Sequence, residues 1–261
     1  MSYNIGSFDP NRYTNYDGDT LNQSAIYSWF KSIEKPDILC MQEFFHGYKA
    51  DMELSLDSIQ SFGQYKYYYM NPGYKKKYEG FFGVITFSKY LAIASGEIKF
   101  SESLVNKGIY SDFIIEKDTI RVINIHLSSL SLRFEKPGIT GFISDFKNNL
   151  STIVSSHHTH VEEVNKVMEF VDQSPYRVIL CGDLNSLPNS YPYRLVSQTL
   201  ENTFEQGGSG FGNTYHRFPF YARIDHIFID PGLKTCRFKV LRDNVFSDHF
   251  PIQAEINLPS D

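Results

Sequence analysis

Short apolar runs of strand length recur along the whole 261-residue chain, and many of them end abruptly on one polar or acidic residue. Ser-Tyr-Asn4, Ile-Leu-Cys-Met-Gln-Glu43, Val-Ile-Asn-Ile-His126 and Val-Ile-Leu-Cys-Gly-Asp183 all have this form. A buried strand that ends this way delivers its last side chain to the rim of a sheet. Carboxylates, amides and imidazoles gathered at one rim make a hard-cation site beside acid–base groups. That combination suits the attack of water on a phosphate ester.

The runs place strands at Tyr3–Ile5, Asp37–Gln42, Tyr65–Met70, Phe82–Ser88, Ala92–Phe100, Ser111–Ile115 and Thr119–Leu127. Further strands are expected at Val178–Leu180, Ile224–Ile229, Lys234–Leu241 and Ile252–Ile256, and Glu116-Lys117-Asp118 reads as a hairpin turn. Helical spacing covers Leu21–Ile33, which stops before Lys35-Pro36, then Ala50–Phe62, two helices between Phe142 and Val171, and Pro192–Thr199. Gln206–Asn213 reads as a Gly-rich rim loop. The order is not a regular βαβ alternation. It predicts an α/β (α+β) fold of two mixed, mainly antiparallel sheets packed face to face with helices outside. No repeat, linker or composition break divides residues 1–261, so the chain reads as a single catalytic domain. Met1–Ile5 is already strand, which favours a domain excised from a longer chain.

With 41% hydrophobic and 16% aromatic residues the chain can bury a substantial core. Its net charge of −5 counts against an enzyme that grips duplex backbone nonspecifically. Cys40, Cys181 and Cys236 give neither an even disulfide framework nor metal-type spacing, and read as free thiols. No apolar stretch approaches the roughly 18 residues of a membrane span, and no signal-peptide pattern is visible. The expectation is a soluble, monomeric domain, cytoplasmic or tethered to a membrane by a segment outside this chain.

Six motifs occur in order: Ser-Tyr-Asn4, Gln42-Glu43, Asn124-Ile-His126-Leu, Gly182-Asp183-Leu-Asn185-Ser, Arg223-Ile-Asp225-His-Ile and Ser247-Asp248-His249. In type and order they resemble the endonuclease/exonuclease/phosphatase superfamily, from Asn4 to His249. The resemblance implies a four-layer α/β/β/α sandwich with its active site at one rim of the central sheets. It also implies Mg²⁺, with Mn²⁺ able to replace it. On these positions Glu43 is expected as the principal metal ligand, with Asn4 and Asp248 completing or supporting the shell. Asp183 is expected to orient or deprotonate the attacking water. Asn185 would donate to a phosphoryl oxygen, His249 paired with Asp225 would contact phosphate, and His126 would make a second phosphate contact. The His-Leu form is closer to the phosphodiesterase, deadenylase and inositol-phosphatase branches than to abasic-site endonucleases. The expected substrate is a phosphoester: nucleic acid, nucleotide, or a phosphorylated small molecule or lipid headgroup. The alternatives are an inositol-phosphate or phospholipid-headgroup phosphatase, a sphingomyelinase-like enzyme, or a non-catalytic module that keeps the fold.

Each residue taken singly has a plainer reading. Glu43 could be a solvated strand end, Gly-Asp-Leu-Asn-Ser a turn, Asn4 a turn cap, Asp225 a salt-bridge partner and His126 a core histidine. Six such accidents in one order are far less economical than one site. His157, His158 and His160 lack a ligand partner at suitable spacing and read as a polar helix junction, and Glu162 and Glu163 as a solvated helix face. Tyr65–Tyr69 and Tyr74–Tyr78 interleave aromatics with lysines, which reads as an aromatic strand face leading into an exposed turn. Tyr215 and its aromatic neighbours border the predicted site and are expected to shape the substrate.

Overall fold

The computed structural model describes residues 1–6, 23–47, 56–72, 80–100, 107–129, 158–216, 221–243 and 246–258. Two six-stranded sheets face each other. The first is built from β1 (Ser2–Asn4), β2 (Ile38–Gly47), β3 (Tyr67–Pro72), β4 (Gly80–Ser88), β11 (Lys234–Val240) and β12 (Ile252–Asn257), in the order β11-β12-β1-β2-β4-β3. The second is built from β5 (Ala92–Ile98), β6 (Lys107–Ile115), β7 (Asp118–His126), β8 (Arg177–Asp183), β9 (Glu201–Asn202) and β10 (Asp225–Ile229), in the order β5-β6-β7-β8-β10-β9. Among the described residues only β1/β2 and β7/β8 pair in parallel, so the sheets are mixed and mainly antiparallel, as expected. Among the described residues no helix is long and apolar enough to cross a membrane.

Alternation along β7 separates the layers, because successive strand residues point to opposite faces. Ile123 and Ile125 join an outer core with Val164, Val167, Met168 and Val171 of a helix over 158–172, α3. Val122 instead packs between the sheets with Cys40, Cys181, Ile227 and Ile252. On the far side, Trp29 and Phe30 of α1 (Gln23–Ser32) and Ile59 of α2 (Leu56–Gly63) cover Tyr3, Leu39, Met41, Ile85 and Phe87. Helices therefore lie outside both sheets. Cys40 and Cys181 are free thiols, both buried in the cluster between the sheets.

Several boundaries differ from the sequence expectation. β2 continues past Gln42 to Gly47, with its register against β4 irregular between Met41 and Phe44. β6 begins at Lys107 rather than Ser111. A short helix, α5 (Thr203–Gly207), follows α4 (Tyr191–Ser197) where a loop was expected from Gln206; the Asn202 side chain caps it by accepting from Phe204 N. Residues 50–55, 142–157 and Tyr74–Tyr78 lie outside the described residues.

Candidate active site

The catalytic candidates meet because strand register puts them in one tier. In the second sheet, His126 is the Cα partner of Asp183, and Asp183 is the partner of Asp225. In the first sheet Asn4 pairs with Gln42, and Glu43 follows in the irregular stretch of β2. Ser247 ties the last motif to the same rim: its Oγ donates to Asn4 O at 2.9 Å and accepts from His249 N at 3.1 Å. Asp248 sits half-buried between Ser247 and His249. Three of the site residues carry unusual backbone: Glu43 at φ 50, Asn185 at φ 48 and Gly182 at φ 141. Non-glycine residues held at positive φ concentrate at functional sites, where surrounding structure enforces them. At Gly182 a Cβ would come within 1.9 Å of Ile125 O, so this close approach of β8 to β7 requires glycine.

Asp183 is the hub. Its Oδ2 accepts from Asn4 Nδ2 at 2.9 Å, and its Oδ1 accepts from Asn185 N at 2.8 Å. His126 Nε2 and His249 Nε2 each stand 3.8 Å from Asp183 Oδ2. Glu43 Oε1 lies 3.4 Å from Asn4 Nδ2 and 3.7 Å from His126 Nε2, with the Glu43 side chain 31% exposed. The His249 Nδ1 to Asp225 Oδ2 distance is 2.8 Å, which leaves Nε2 towards Asp183.

Burial pushes the Asp183 carboxyl up to about 6; the Asp225 charge adds to the rise, while His249, His126 and Asn185 N–H oppose it. Burial alone would lower the His249 imidazole, but Asp225 and Asp183 outweigh it and raise the group to about 10. His249 is therefore an imidazolium at neutral pH, with Nδ1–H donated to Asp225 and a second N–H aimed into the site.

Asn185 donates through Nδ2 to Leu127 O at 2.9 Å. A carboxamide nitrogen carries two hydrogens, so one remains for a ligand oxygen. Tyr215 pairs with His249 in an isolated antiparallel bridge, their rings 5.1 Å apart. The geometry thus gathers Asn4, Glu43, His126, Asp183, Asn185, Tyr215, Asp225 and His249 at one rim, with Asp248 beside them.

Other residues support the site in roles that the sequence motifs left unassigned. Gln42 Nε2 donates to Asn124 Oδ1 at 2.7 Å, and Asn124 Nδ2 donates to Ile85 O at 2.9 Å, bridging the sheets just below the tier of candidate residues. Asn124 opens the Asn124-Ile-His126-Leu motif and lies two residues before His126 on the same strand face. Glu163 corrects the sequence reading: it is 1% exposed, not solvated. Its carboxylate accepts from Ser128 N at 2.8 Å and Ser128 Oγ at 2.6 Å, and so anchors the segment after His126. Only the tertiary position of Ser128 reveals this; Glu162 beside it is exposed.

The oxygen-rich Glu43 side of the cleft fits a hard divalent cation. Two carboxylates, Glu43 and Asp183, share one amide nitrogen and one imidazole nitrogen, and burial already disfavours the charge on Asp183. Divalent charge there would relieve that cost. Asp183, Asp225 and His249 also offer ligand atoms within 4.8 Å of one another. In that trio, however, His249 is already a hydrogen-bonded cation, which makes it a poor metal ligand.

The sequence profile of the Endonuclease/Exonuclease/phosphatase family matches residues 1–249. No curated protein matches the chain significantly. Among solved structures, an endonuclease/exonuclease/phosphatase family protein from Bacteroides thetaiotaomicron superposes with a TM-score of 0.69 at 20% identity, over 98% of this chain and 95% of that one. A mannosyl-6-phosphatase from Bacteroides thetaiotaomicron VPI-5482 gives 0.68 at 20% identity, over 98% of both chains. Humanized D. rerio TDP2 gives 0.69 at 15% identity, over 98% of this chain and 97% of that one. At these identities the likeness is one of fold.

Proposed function

Because the chain belongs to the endonuclease/exonuclease/phosphatase family, whose members hydrolyse phosphoester bonds, we propose that it is a Mg²⁺-dependent phosphodiesterase acting by in-line attack of water. The observation that carries this reading is the meeting of Asn4, Glu43, His126, Asp183 and the His249–Asp225 pair at one rim. Glu43 would hold the cation as principal ligand, with Asn4 and Asp248 completing or supporting the shell. A divalent cation held there would supply Lewis-acid stabilisation of charge on the phosphate oxygens.

Asp183 accepts the proton of the attacking water. Asn4 and Asn185 hold both of its oxygens in place. His249, kept protonated by Asp225, donates Nε2–H to a phosphate oxygen as charge builds. Asn185 adds a second donor from a side chain oriented by Leu127 O. His126 makes the remaining phosphate contact, and Tyr215 shapes the substrate site beside His249.

A panel of bis-(4-nitrophenyl) phosphate, 4-nitrophenyl phosphate, sugar phosphates, inositol phosphates and short oligonucleotides, run with Mg²⁺, Mn²⁺ and chelator, tests the reading. Diester turnover that chelator abolishes supports it. Turnover of monoesters alone would move the assignment to a phosphatase, and metal-independent turnover would overturn the mechanism.

A further inference from the structure

The catalytic tier does not stop at His126. Lys107, the first residue of β6, is the Cα partner of His126, so the tier reads Lys107, His126, Asp183, Asp225 across four neighbouring strands. Paired positions share a face of the sheet. Lys107 accordingly reaches across the interior, its Nζ donating to Asn71 Oδ1 of β3 at 3.5 Å. Lys107 Nζ also lies 3.6 Å from Glu97 Oε1. Both are longer than the roughly 2.7–2.9 Å of a tight charge-assisted bond, so the ammonium is loosely held. Asn71 is 5% exposed, and its Nδ2 has no hydrogen-bond partner among the described residues. Buried amide donors are nearly always paired, so an unpaired one beside a loosely held cation marks a place for a ligand oxygen.

We propose that Lys107 and Asn71 form a second anion-binding subsite, which holds a phosphate or carboxylate of the substrate away from the scissile group. This rests on the phosphoesterase reading above. With strands about 4.8 Å apart, Lys107 lies one strand from His126 and about 10 Å from Asp183. A bisphosphate, or a diester with a neighbouring phosphate, spans that interval. A simple monophosphate fills the reaction centre alone. Glu97, whose side chain is 33% exposed, compensates the ammonium charge and can turn to solvent as an anion enters. A purely structural Lys107 would tie β6 to β3 and affect stability without affecting selectivity.

The test compares butyl phosphate with butane-1,4-diyl bisphosphate as inhibitors of bis-(4-nitrophenyl) phosphate hydrolysis at fixed free Mg²⁺. Wild-type protein should bind the bisphosphate at least about tenfold more tightly, the worth of one charged hydrogen bond. Lys107→Met and Asn71→Ala should each reduce that ratio to within about threefold, and Lys107→Arg should retain it, with melting curves checking the fold. No preference in the wild type, or an undiminished preference in both variants, overturns the subsite. Absence of any ester hydrolysis by the wild type instead overturns the underlying reading; calorimetric titration of the two inhibitors then still decides the subsite.

Discussion

The two faces of the second sheet obey different rules. On the outer face, Ile123, Ile125, Leu180 and Phe228 pack against α3 and α4 in a nearly uniform apolar core. On the inner face, the same strands carry Asn124, His126, Asp183 and Asp225, all buried and bound into hydrogen-bond or ionic contacts. Asp225 and His226 are adjacent yet belong to opposite sides of this division. His226 points outward, its Nε2 3.0 Å from Ser186 O, and burial pushes its imidazole down to about 4. His249 meets Asp225 on the inner side and is raised to about 10. On the proposed mechanism the inner rim supplies chemistry while the outer face supplies stability, so substitutions on the two should separate these properties.

The sharpest separation comes from Asp183→Ala and Phe228→Ala. Asp183→Ala should lower kcat about 10²–10⁴-fold as the base is lost, with a cooperative melt preserved. Phe228→Ala should cost about 3–5 kcal/mol in urea titration while the folded fraction keeps near-normal kcat. The reverse pattern would break the division.

Glu163 probes the seam, since it stands on α3 but serves the rim through Ser128. Glu163→Ala should lose about 1–3 kcal/mol of stability and lower kcat, because Ser128 N is left unpaired. Glu163→Gln keeps an acceptor for Ser128 and should recover most of both, measured as paired melts and turnover.

A smaller, pH-dependent effect separates the histidines. The folded pKa of His226 lies below its unfolded value, so the unfolded state binds more protons between about pH 6.5 and 4. Its contribution is present above that window and should fall away as pH drops through it. His249 has the opposite sign: its contribution is present below about pH 6.5 and is lost as pH rises through about 10. Imidazole NMR should find His226 neutral at pH 5.5 and His249 protonated at pH 8.5. A shared titration near pH 6.5 would erase the contrast.

How much of this was legible depended on whether the deciding interaction was local. Asn4, His126 and Asp183 were readable because each ends an apolar run, and pairing then aligns the run ends. Glu43 was found for the same reason, although β2 continues beyond it; the irregularity at Met41–Phe44, invisible in composition, is what marks the departure. The start of β6 was missed because Lys107 and Gly108 interrupt the apolar pattern, and long-range pairing with Ile125 and His126 makes them strand. α5 was hidden by Gly207 and Gly208. Its Asn202 cap and the Arg223 guanidinium 4.1 Å from the Phe204 ring hold it in place. The Gln42–Asn124 bridge joins residues 82 apart, and no spacing rule along one chain reaches that far.

Mn²⁺ binding, read by electron paramagnetic resonance on the wild type and Glu43→Gln, tests most directly whether the converging rim holds a divalent ion. The account predicts one bound Mn²⁺ in the wild type and a Kd at least about tenfold weaker in the folded variant, as one charged ligand is lost. Equal binding by both proteins, or none by the wild type, would contradict it.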